Sequence, residues 1–391
     1  MTGAGRDAGG IAASGAEERS AAERSAMALA LDLARKGVRG ANPLVGAVIL
    51  DSAGAVLSSG FHRGAGTPHA EAAALANAAA QGVDVSGATM VVTLEPCNHT
   101  GRTGPCSQAI IKAGISRVVY AAADSTAEAA GGAAALADAG ITVRGGLMAA
   151  ESGDLNHRWI RAAQEKRPFV TVKTAQSLDG RTAAEDGTSQ WITGTAARAD
   201  GHVIRSRADA VVVGTGTVLA DNPRLTARNA EGEDAGQQPL RVAVGRRPVP
   251  ADAAVRGTDG RFLQLPQHDP AEICRELHGR GVRHLMIEGG ATVAGAFLRA
   301  GLADELVAYV APVLLGAGTP AFANLGVHTI ADASRWRWDE TDGGAARLVG
   351  TDLRLRLVPL LAGRIPAAGP PTPELPTSEQ HTPELPTTEQ P

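Results

Sequence analysis

Two of the three cysteines of this chain fall into one split pattern with a histidine and a glutamate. The pattern reads His69-Ala70-Glu71, then Pro96-Cys97, then Pro105-Cys106. One imidazole and two thiolates suit a tetrahedral Zn²⁺ ion and leave its fourth position open to water, as in catalytic rather than structural sites. The chain must therefore fold so that side chains from three distant segments meet at one point.

Glu71 follows the histidine by two residues, which keeps its carboxylate near the ion without requiring it to bind. Cys97 ends the apolar run MVVTLEP, and Cys106 opens a helix behind Pro105, a residue favoured at the first helical position. Zinc lowers the pKa of bound water to about 7. Glu71 would then take the water's proton and return it to a ring nitrogen and a leaving amine. A His-x-Glu motif followed by Pro-Cys-x-x-Cys marks zinc deaminases, and here eight residues separate the cysteines.

Alternative interpretations of these residues remain open at this stage. Both cysteines could be core residues and His69 a surface histidine, but the ordered combination favours zinc. A purely structural zinc would need a fourth ligand, for which His99 is the nearby candidate. Cys274 lies between apolar helical residues, which predicts core packing.

Strand-like and helix-like segments alternate over residues 20–166, which predicts an α/β domain with helices on the faces of a sheet. The predicted helices are 21–37, 69–81, 106–113, 131–139 and 149–166, and the predicted strands are 45–50, 88–94, 117–123 and 141–143. Residues 1–19 are rich in Gly, Ala and Ser and are predicted to be a flexible leader.

The alternation restarts after Arg167-Pro168, where we place the boundary of a second α/β domain covering 167–362. Its predicted strands are 169–175, 210–213, 241–244, 284–287, 306–311 and 353–357, and its predicted helices are 195–207, 270–278 and 292–299. Residues 363–391 contain a repeat, TPELPTSEQ then TPELPTTEQ. This composition cannot bury a core, so a disordered, solvated tail is predicted in preference to a docking peptide.

Composition argues against several classes of function. A net charge of −4 gives no general attraction to nucleic acid or anionic membranes, and 3% aromatic residues leave little base-stacking surface. No apolar run is long enough for a membrane span, and the N-terminus predicts no signal peptide. An odd number of cysteines in a long chain favours a reducing cytoplasm over a disulfide framework.

Several longer segments resemble one known family. In the first domain they are NPLVGAVIL (42–50), GFHRGAGTPHAEAAAL (60–75) and TLEPCNHTGRTGPC (93–106). In the second they are KTAQSLDGRTA (173–183), SQWITG (189–194), VVVGTGTVLADNPRLTAR (211–228) and IEGGATVAGAFLRAGLADEL (287–306). Together they closely resemble the bifunctional riboflavin-biosynthesis deaminase–reductase, from about residue 22 to residue 359. The long spacer between the cysteines separates this family from cytidine and transfer-RNA deaminases.

The resemblance implies a cytidine-deaminase-like three-layer α/β/α domain followed by a dihydrofolate-reductase-like α/β domain. The first would use one Zn²⁺ to remove the 2-amino group of a diamino-ribosylamino-pyrimidinone phosphate. The second would use NADPH to reduce the ribosyl group of the resulting aminouracil to ribityl. We expect a cytoplasmic homo-oligomer, a dimer or tetramer, whose partner is this small phosphorylated pyrimidine.

By position, the resemblance assigns zinc binding to His69, Cys97 and Cys106 and the proton shuttle to Glu71. It places Asn42, His62, His99 and Arg102 in motifs that line the deaminase pocket. Substrate contacts of the reductase fall on Ser189, Arg205, Leu225, Arg228 and Glu288. Cofactor contacts fall on Ala175, Trp191, Thr217, Asp221, Arg246, Gly290, Ala291, Thr292, Val293, Ala294, Gly295 and Ala296.

Physical arguments support part of the reductase assignment. The stretch from Gly289 to Thr292 follows an apolar strand and opens a helix, so its free N–H groups can hold a phosphate. Arg205 and Arg228 suit a bidentate grip on the ribose phosphate, and Arg246 could meet a 2′-phosphate.

Single residues of this set also have simpler explanations. The Gly-Gly turn could be a plain tight turn, and Arg205 a solvated helix residue. Lys173 and Glu288 are candidates for orienting or protonating the substrate, but they could also simply pair with each other.

This chain departs from the family pattern at Gly104, Asn222, Ala291 and the loop 125–132. These departures affect the expected fit of the substrate more than the expected catalytic residues. A deaminase for another pyrimidine, nucleoside or RNA base is therefore one alternative. A non-catalytic, zinc-stabilised nucleotide sensor is another.

Overall fold

The computed structural model describes residues 8–98, 104–124, 131–340 and 344–360. The elements of the first domain are α1 Ala8–Ala34, β1 Gly46–Leu50, β2 Val56–Phe61, α2 Ala70–Ala80, β3 Thr89–Leu94, α3 Cys106–Lys112, β4 Arg117–Ala122, α4 Gly132–Asp138, β5 Thr142–Arg144 and α5 Ala149–Glu165.

The first sheet has the order β2-β1-β3-β4-β5. Strand β1 runs antiparallel to β2 and β3, whereas β3, β4 and β5 run parallel. Its strands are apolar because both faces are covered. Helices α2, α3 and α4 cover one face with side chains that include Ala74, Ile110 and Leu136. Helices α1 and α5 cover the other with side chains that include Met27, Leu31 and Leu155. The predicted three-layer α/β/α arrangement is confirmed.

The elements of the second domain are β6 Phe169–Ser177, β7 Arg181–Ala183, α6 Thr195–Arg207, β8 Ala210–Gly214, α7 Thr215–Asp221, β9 Leu240–Val244, β10 Phe262–Leu265, α8 Pro270–Gly279, β11 His284–Ile287, α9 Ala291–Arg299, β12 Glu305–Ala311, β13 Thr319–Pro320, β14 Trp336–Trp338, β15 Ala346–Val349 and β16 Asp352–Pro359. Cys274 on α8 lies in the core between these elements, as its apolar neighbours predict.

The large sheet has the order β10-β9-β8-β11-β6-β12-β16-β14, with β15 also paired to β16. The six neighbouring strands β10, β9, β8, β11, β6 and β12 run parallel to one another. Strand β16 then pairs antiparallel with β12. In such a sheet, ligands bind beyond the carboxyl ends of the parallel strands. That edge carries the turns after β8, β9 and β11.

The two ends of the chain are predicted to lack regular structure. Helix α1 begins at Ala8, whereas the sequence predicts a flexible leader over residues 1–19. Residues 8–19 include three glycines, which disfavour a helix, but extending an existing helix needs no new nucleus. Residues 1–7 and the predicted disordered tail 363–391 lie outside the described residues.

A buried ionic cluster fixes α5 to the second domain. Glu305 at the start of β12 accepts hydrogen bonds from Arg158 of α5 at 3.2 Å, from Thr171 Oγ1 at 2.8 Å and from Arg356 of β16. Its side chain is only 3% exposed. Burial alone raises the pKa of Glu305, but the charges of Arg158 and Arg356 outweigh it and hold the pKa well below its usual range.

We expect Glu305→Gln to lower the free energy of unfolding by about 3–5 kcal/mol, because it removes the carboxylate that Arg158 and Arg356 share, although Arg356 keeps its ion pair with Asp339. The pKa of Glu305 is lower in the folded than in the unfolded chain. Its contribution is therefore complete above the ordinary glutamate pKa and is lost as the pH falls towards the folded value. Urea unfolding at neutral and acidic pH measures both effects.

Glu165→Gln is the matched control, because this carboxylate bonds Arg161 and Arg167 at the surface with a side chain 37% exposed. Its loss should stay under about 1 kcal/mol. Equal losses of unfolding free energy in the two variants would show that the buried cluster stabilises the fold no more than a surface ion pair does.

Candidate active sites

The three predicted zinc ligands converge in the first domain. His69 caps the N-terminus of α2, Cys97 follows the carboxyl end of β3, and Cys106 is the first residue of α3. The Nδ1 atom of His69 lies 3.6 Å from Cys97 Sγ and 3.3 Å from Cys106 Sγ. All three ligand atoms lie within 4.8 Å of one another. Helix α3 begins at Cys106, as predicted, and Pro105 is the residue before it.

These distances fit a zinc ion. Zn–S bonds of about 2.3 Å and Zn–N bonds of about 2.0–2.1 Å at tetrahedral angles place nitrogen and sulfur about 3.5 Å apart. The two cysteines are buried and His69 is half-buried, so the three donors face one enclosed point. Among the described residues no fourth histidine, cysteine or carboxylate completes the group, which matches an ion with an open position. His99, the candidate fourth ligand, lies outside the described residues.

Hydrogen bonds among the ligands favour one thiolate even before metal is considered. The hydrogen bond from the Cys106 thiol, together with contact with His69, holds the pKa of Cys97 well below its usual value, although burial opposes the shift. The same interaction with Cys97 raises the pKa of Cys106. The hydrogen bond with Cys97 also raises the pKa of His69. A cluster that holds negative charge in a buried place is suited to a divalent cation.

Glu71 lies beside the three ligands in the first turn of α2 and is 4% exposed. Burial raises its pKa to about 7. A general acid–base catalyst works best when its pKa is close to the working pH, because it can then both take and give a proton. The position and the pKa of Glu71 therefore match the predicted proton shuttle.

Asn42 and His62, predicted to line the same pocket, are in contact. The Asn42 Nδ2 atom lies 3.0 Å from His62 Nε2, and His62 Nδ1 lies 3.0 Å from the carbonyl oxygen of Pro68. The carbonyl can only accept, so Nδ1 carries the proton and Nε2 accepts from Asn42. Burial lowers the pKa of His62, which keeps the ring neutral. Its ring packs edge-on to His69 with centroids 5.4 Å apart.

The residues that follow the two cysteines hold the thiols together. Ser107 N donates to the Cys97 carbonyl at 3.2 Å, and Ser107 Oγ donates to Asn98 Oδ1 at 2.7 Å. These bonds close the long spacer at its ends, which explains how eight intervening residues still give one site. Arg102, the remaining predicted pocket residue, lies outside the described residues.

The second domain has a crevice at the carboxyl edge of its parallel strands. Helix α7 begins directly after β8, and α9 begins one turn after the neighbouring β11. Gly290 has a φ of +66°, which favours glycine, and a Cβ atom there would lie 3.2 Å from Thr217 Oγ1. A Cβ atom at Gly289 would lie 2.7 Å from Val213. Glycines that bring the backbone this close beside two helix N-termini fit a dinucleotide phosphate.

The predicted cofactor residues lie at different distances from this crevice. Arg246 follows β9 and is exposed at its rim. Asp221 ends α7 and is also exposed, whereas Ala175 on β6, the strand next to β11, packs near Tyr309. Trp191 is 68% exposed, and the Arg198 guanidinium lies 4.4 Å from its ring centroid. The rest of the predicted cofactor set forms the first two turns of α9, residues 291–296.

Glu288 pairs with Arg205 rather than with Lys173. Arg205 Nε and Nη2 donate to its two carboxylate oxygens at 2.9 and 2.5 Å, and Arg205 Nη1 donates to the Thr226 carbonyl at 2.6 Å. Burial raises the pKa of Glu288, but the Arg205 and Lys173 charges outweigh this and bring it to about 2. These bonds and a 3.5 Å contact with His202 engage four of the five N–H groups of Arg205, which leaves one for the predicted contact with a phosphate. Its geometry holds an ionised Glu288 in place.

Lys173 lies next to this ion pair, and its Nζ atom is 5.7 Å from the centroid of the Tyr309 ring. Burial lowers its pKa, although the charge of Glu288 opposes the shift. Among the residues that the structure describes, none accepts a hydrogen bond from this ammonium group. A half-buried amine without an acceptor is available to a substrate, so Lys173 is the better candidate of the two for proton transfer.

The remaining predicted substrate residues differ in accessibility. Ser189 and Arg228 are half-buried, and Arg228 forms an isolated β-bridge with Asp234. Leu225 is only 6% exposed and has a φ of +56°, a strained conformation for leucine that a packed cluster holds in place. Asn222, a departure from the family pattern, follows the last residue of α7 and has a φ of +41°, a left-handed conformation that asparagine tolerates.

Comparison with known proteins accounts for both sites. Residues 20–122 match the family model of the cytidine and deoxycytidylate deaminase zinc-binding region, and residues 168–344 match the RibD C-terminal domain. The riboflavin biosynthesis protein RibD of Mycobacterium tuberculosis is 47% identical over 325 residues, which cover 83% of this chain and 93% of that protein. The Escherichia coli protein of the same description is 38% identical over 85% of this chain and 98% of its own length. The chain belongs to the RibD family.

Solved structures of RibD proteins agree with the fold. The Acinetobacter baumannii RibD structure superimposes with a TM-score of 0.77 at 36% identity, over 86% of this chain and 99% of that one. A Thermotoga maritima structure gives a TM-score of 0.75 at 31% identity, over 86% and 99% of the two chains. This RibD chain is accordingly a bifunctional enzyme of riboflavin biosynthesis. It combines a zinc-dependent deaminase with an NADPH-dependent reductase. None of its described helices is both long and apolar enough to cross a membrane.

Proposed function

We propose that the first domain hydrolyses the 2-amino group of a diamino-ribosylamino-pyrimidinone phosphate, and that the second reduces the ribosyl group of the product. The observation that carries the proposal is the meeting of His69, Cys97 and Cys106 beside the buried carboxyl of Glu71. The Thermotoga maritima relative is described as a diaminohydroxyphosphoribosylaminopyrimidine deaminase/5-amino-6-(5-phosphoribosylamino)uracil reductase. The two family matches support a domain boundary at Arg167-Pro168.

In the deaminase, a zinc ion held by the imidazole and the two thiolates would activate the attacking water. Glu71 accepts one proton of that water and delivers it to the ring nitrogen, and it then carries a second proton from the added hydroxyl group to the departing amine. Burial favours the protonated form of Glu71, which helps the same carboxyl both take and give a proton. Asn42, fixed by neutral His62, presents its remaining amide oxygen to the polar edge of the pyrimidine.

In the reductase, NADPH supplies the hydride that reaches C1 of the ribosyl group. The N-termini of α7 and α9 hold the cofactor phosphates. Lys173 donates the accompanying proton, and Glu288 keeps that ammonium charged while Arg205 fixes the carboxylate. Arg228 binds the ribose phosphate. We also propose that the enzyme is a cytoplasmic homo-oligomer. Light scattering of the purified protein tests the oligomeric state.

Incubating the purified chain with the pyrimidinone phosphate tests the proposal. Without NADPH, ammonia and the aminouracil phosphate should accumulate, and addition of NADPH should convert that product to the ribityl compound. Deamination of cytidine, adenosine or transfer RNA without action on the pyrimidinone would establish a different deaminase. NADPH binding without turnover of either substrate would establish a sensor.

Arg246→Ala should weaken NADPH binding by about 10- to 100-fold and NADH binding by less than about 3-fold, because only NADPH offers the 2′-phosphate. Isothermal titration with each cofactor measures the difference. Arg280→Ala, which removes an equal charge from the exposed Arg280–Glu276 pair on α8, is the control and should change neither affinity. Equal losses for both cofactors would remove the proposed role of Arg246.

A further inference from the structure

The loop that carries Asn42 is held from outside the deaminase sheet. This loop, residues 39–44, joins α1 to β1 and will be called the Asn42 loop. Asn156 of α5 accepts from Leu44 N at 2.8 Å and donates to Leu44 O at 2.9 Å, and it is 3% exposed. Trp159, one turn further along α5, donates from Nε1 to Ala41 O at 3.0 Å. The helix that joins the domains therefore fixes the second half of the loop.

The first half of the loop is held by the reductase domain. Gln237, in the segment before β9, accepts from Arg39 N at 3.3 Å and donates from Nε2 to Arg39 O at 3.2 Å. The charge of Arg39 also acts on Asp209, the residue before β8, where it opposes the rise in pKa that burial causes. A residue of the deaminase loop is thus bonded by its backbone, and coupled by its charge, to the other catalytic domain.

The next residue, Gln238, makes a similar pair of hydrogen bonds to a backbone within the reductase domain. Gln238 accepts from Ala227 N at 2.9 Å and donates to Ala227 O at 2.8 Å, and it also donates to Ala235 O at 2.8 Å. Ala227 precedes Arg228, the proposed phosphate ligand of the reductase. The side-chain amide of Gln237 therefore holds a loop of the deaminase domain, and that of Gln238 holds a loop of the reductase domain.

We propose that Gln237 is a positioning residue of the deaminase reaction that the reductase domain supplies. It fixes the Arg39 backbone, and through the short Asn42 loop it fixes the hydrogen bond of Asn42 to His62. The deaminase pocket is then complete only when the reductase domain is docked against it. This inference rests on the proposed role of Asn42 in binding the deaminase substrate.

The test uses the full-length, zinc-loaded enzyme with the two activities assayed separately. Gln237→Met keeps the length of the side chain but removes both hydrogen bonds. We expect it to raise the deaminase KM by about 3- to 10-fold, the effect of losing a typical hydrogen bond, and to change kcat by less than about 2-fold. Reductase kinetics and the melting temperature should stay near those of the wild type. Trp159→Phe, which removes only the N–H donor to Ala41, should act in the same direction.

Gln238→Met is the matched control, because it removes similar hydrogen bonds one residue away that hold only the reductase domain. It should leave the deaminase KM unchanged. An unchanged deaminase KM in Gln237→Met, or an equal loss of both activities, would overturn the inference.

Asn42→Ala separates this inference from the proposed function. If Asn42→Ala raises KM and Gln237→Met does not, the positioning inference fails while the role of Asn42 stands. If Asn42→Ala leaves KM unchanged, the proposed role of Asn42 fails and the positioning route fails with it.

Discussion

Glu71→Gln lowers the deaminase kcat by a factor of about 10² to 10⁴ while zinc stays bound. The amide has the size of the carboxyl group, so the buried first turn of α2 keeps its packing. It cannot take a proton from water or return one to the leaving amine. The side chain is not among the ligand group of His69, Cys97 and Cys106, so metal content should not change. Steady-state ammonia release and zinc analysis of the same preparation measure both effects.

Reductase activity on the aminouracil phosphate should survive Glu71→Gln, because the proposed hydride site lies in the second domain. The control for burial is Glu23→Gln, which alters another buried carboxylate of the same domain, one that pairs with Arg117 and Arg144. That variant should lose stability but keep most of its deaminase kcat. Loss of both activities with an intact fold in Glu71→Gln would disprove independent sites.

The opposite pattern is expected for Lys173→Met, which should lower the reductase kcat by about 10²-fold or more and leave deamination intact. Methionine fills the buried space beside Tyr309 but cannot donate a proton or neutralise Glu288. NADPH oxidation under saturating aminouracil phosphate measures the loss. NADPH affinity should change little, since the Gly-Gly turn of α9 is untouched.

Lys112→Met, at the exposed end of α3, controls for the change in charge and should affect neither activity. A reductase that keeps more than about a third of its kcat in Lys173→Met would move proton transfer to another group. A combined variant with Glu71→Gln should lose both activities independently, since the two sites share no side chain.

Much of the fold follows from local sequence patterns. Helix α6, Thr195–Arg207, and strand β11, His284–Ile287, coincide with their predicted limits. Apolar runs bounded by glycine are strong local signals, because parallel strands that are buried on both faces need apolar residues at nearly every position. The zinc ligands were predictable because few other arrangements bring together a histidine, two Pro-Cys steps and an unpaired glutamate.

Other elements could not be predicted from local patterns. Strand β2, with the sequence VLSSGF, alternates too weakly, and it forms because the edge of β1 is open to pairing. Helix α7 contains Gly216 and two threonines, which are poor helix formers. Its position after β8 determines its structure, because tertiary context overrides weak propensity.

Side-chain partners far apart in the sequence were the hardest to predict. The pairing of Arg205 with Glu288 spans 83 residues, and no local pattern distinguishes it from a solvated arginine. The hydrogen bonding of Gln237 to Arg39 spans 198 residues and depends on how the two domains dock. The approach of Arg247 to α7 is a further example, since its guanidinium lies 2.8 Å from where a Cβ atom of Gly216 would be.

The most direct test of the zinc site is elemental analysis of the purified enzyme, together with Cys97→Ala, Cys106→Ala and Glu71→Gln. The geometry of the three ligands predicts one zinc per chain in the wild type and in Glu71→Gln, with loss of zinc and of deamination in both cysteine variants. Fully active wild type without stoichiometric metal, or cysteine variants that keep both zinc and deamination, would contradict it.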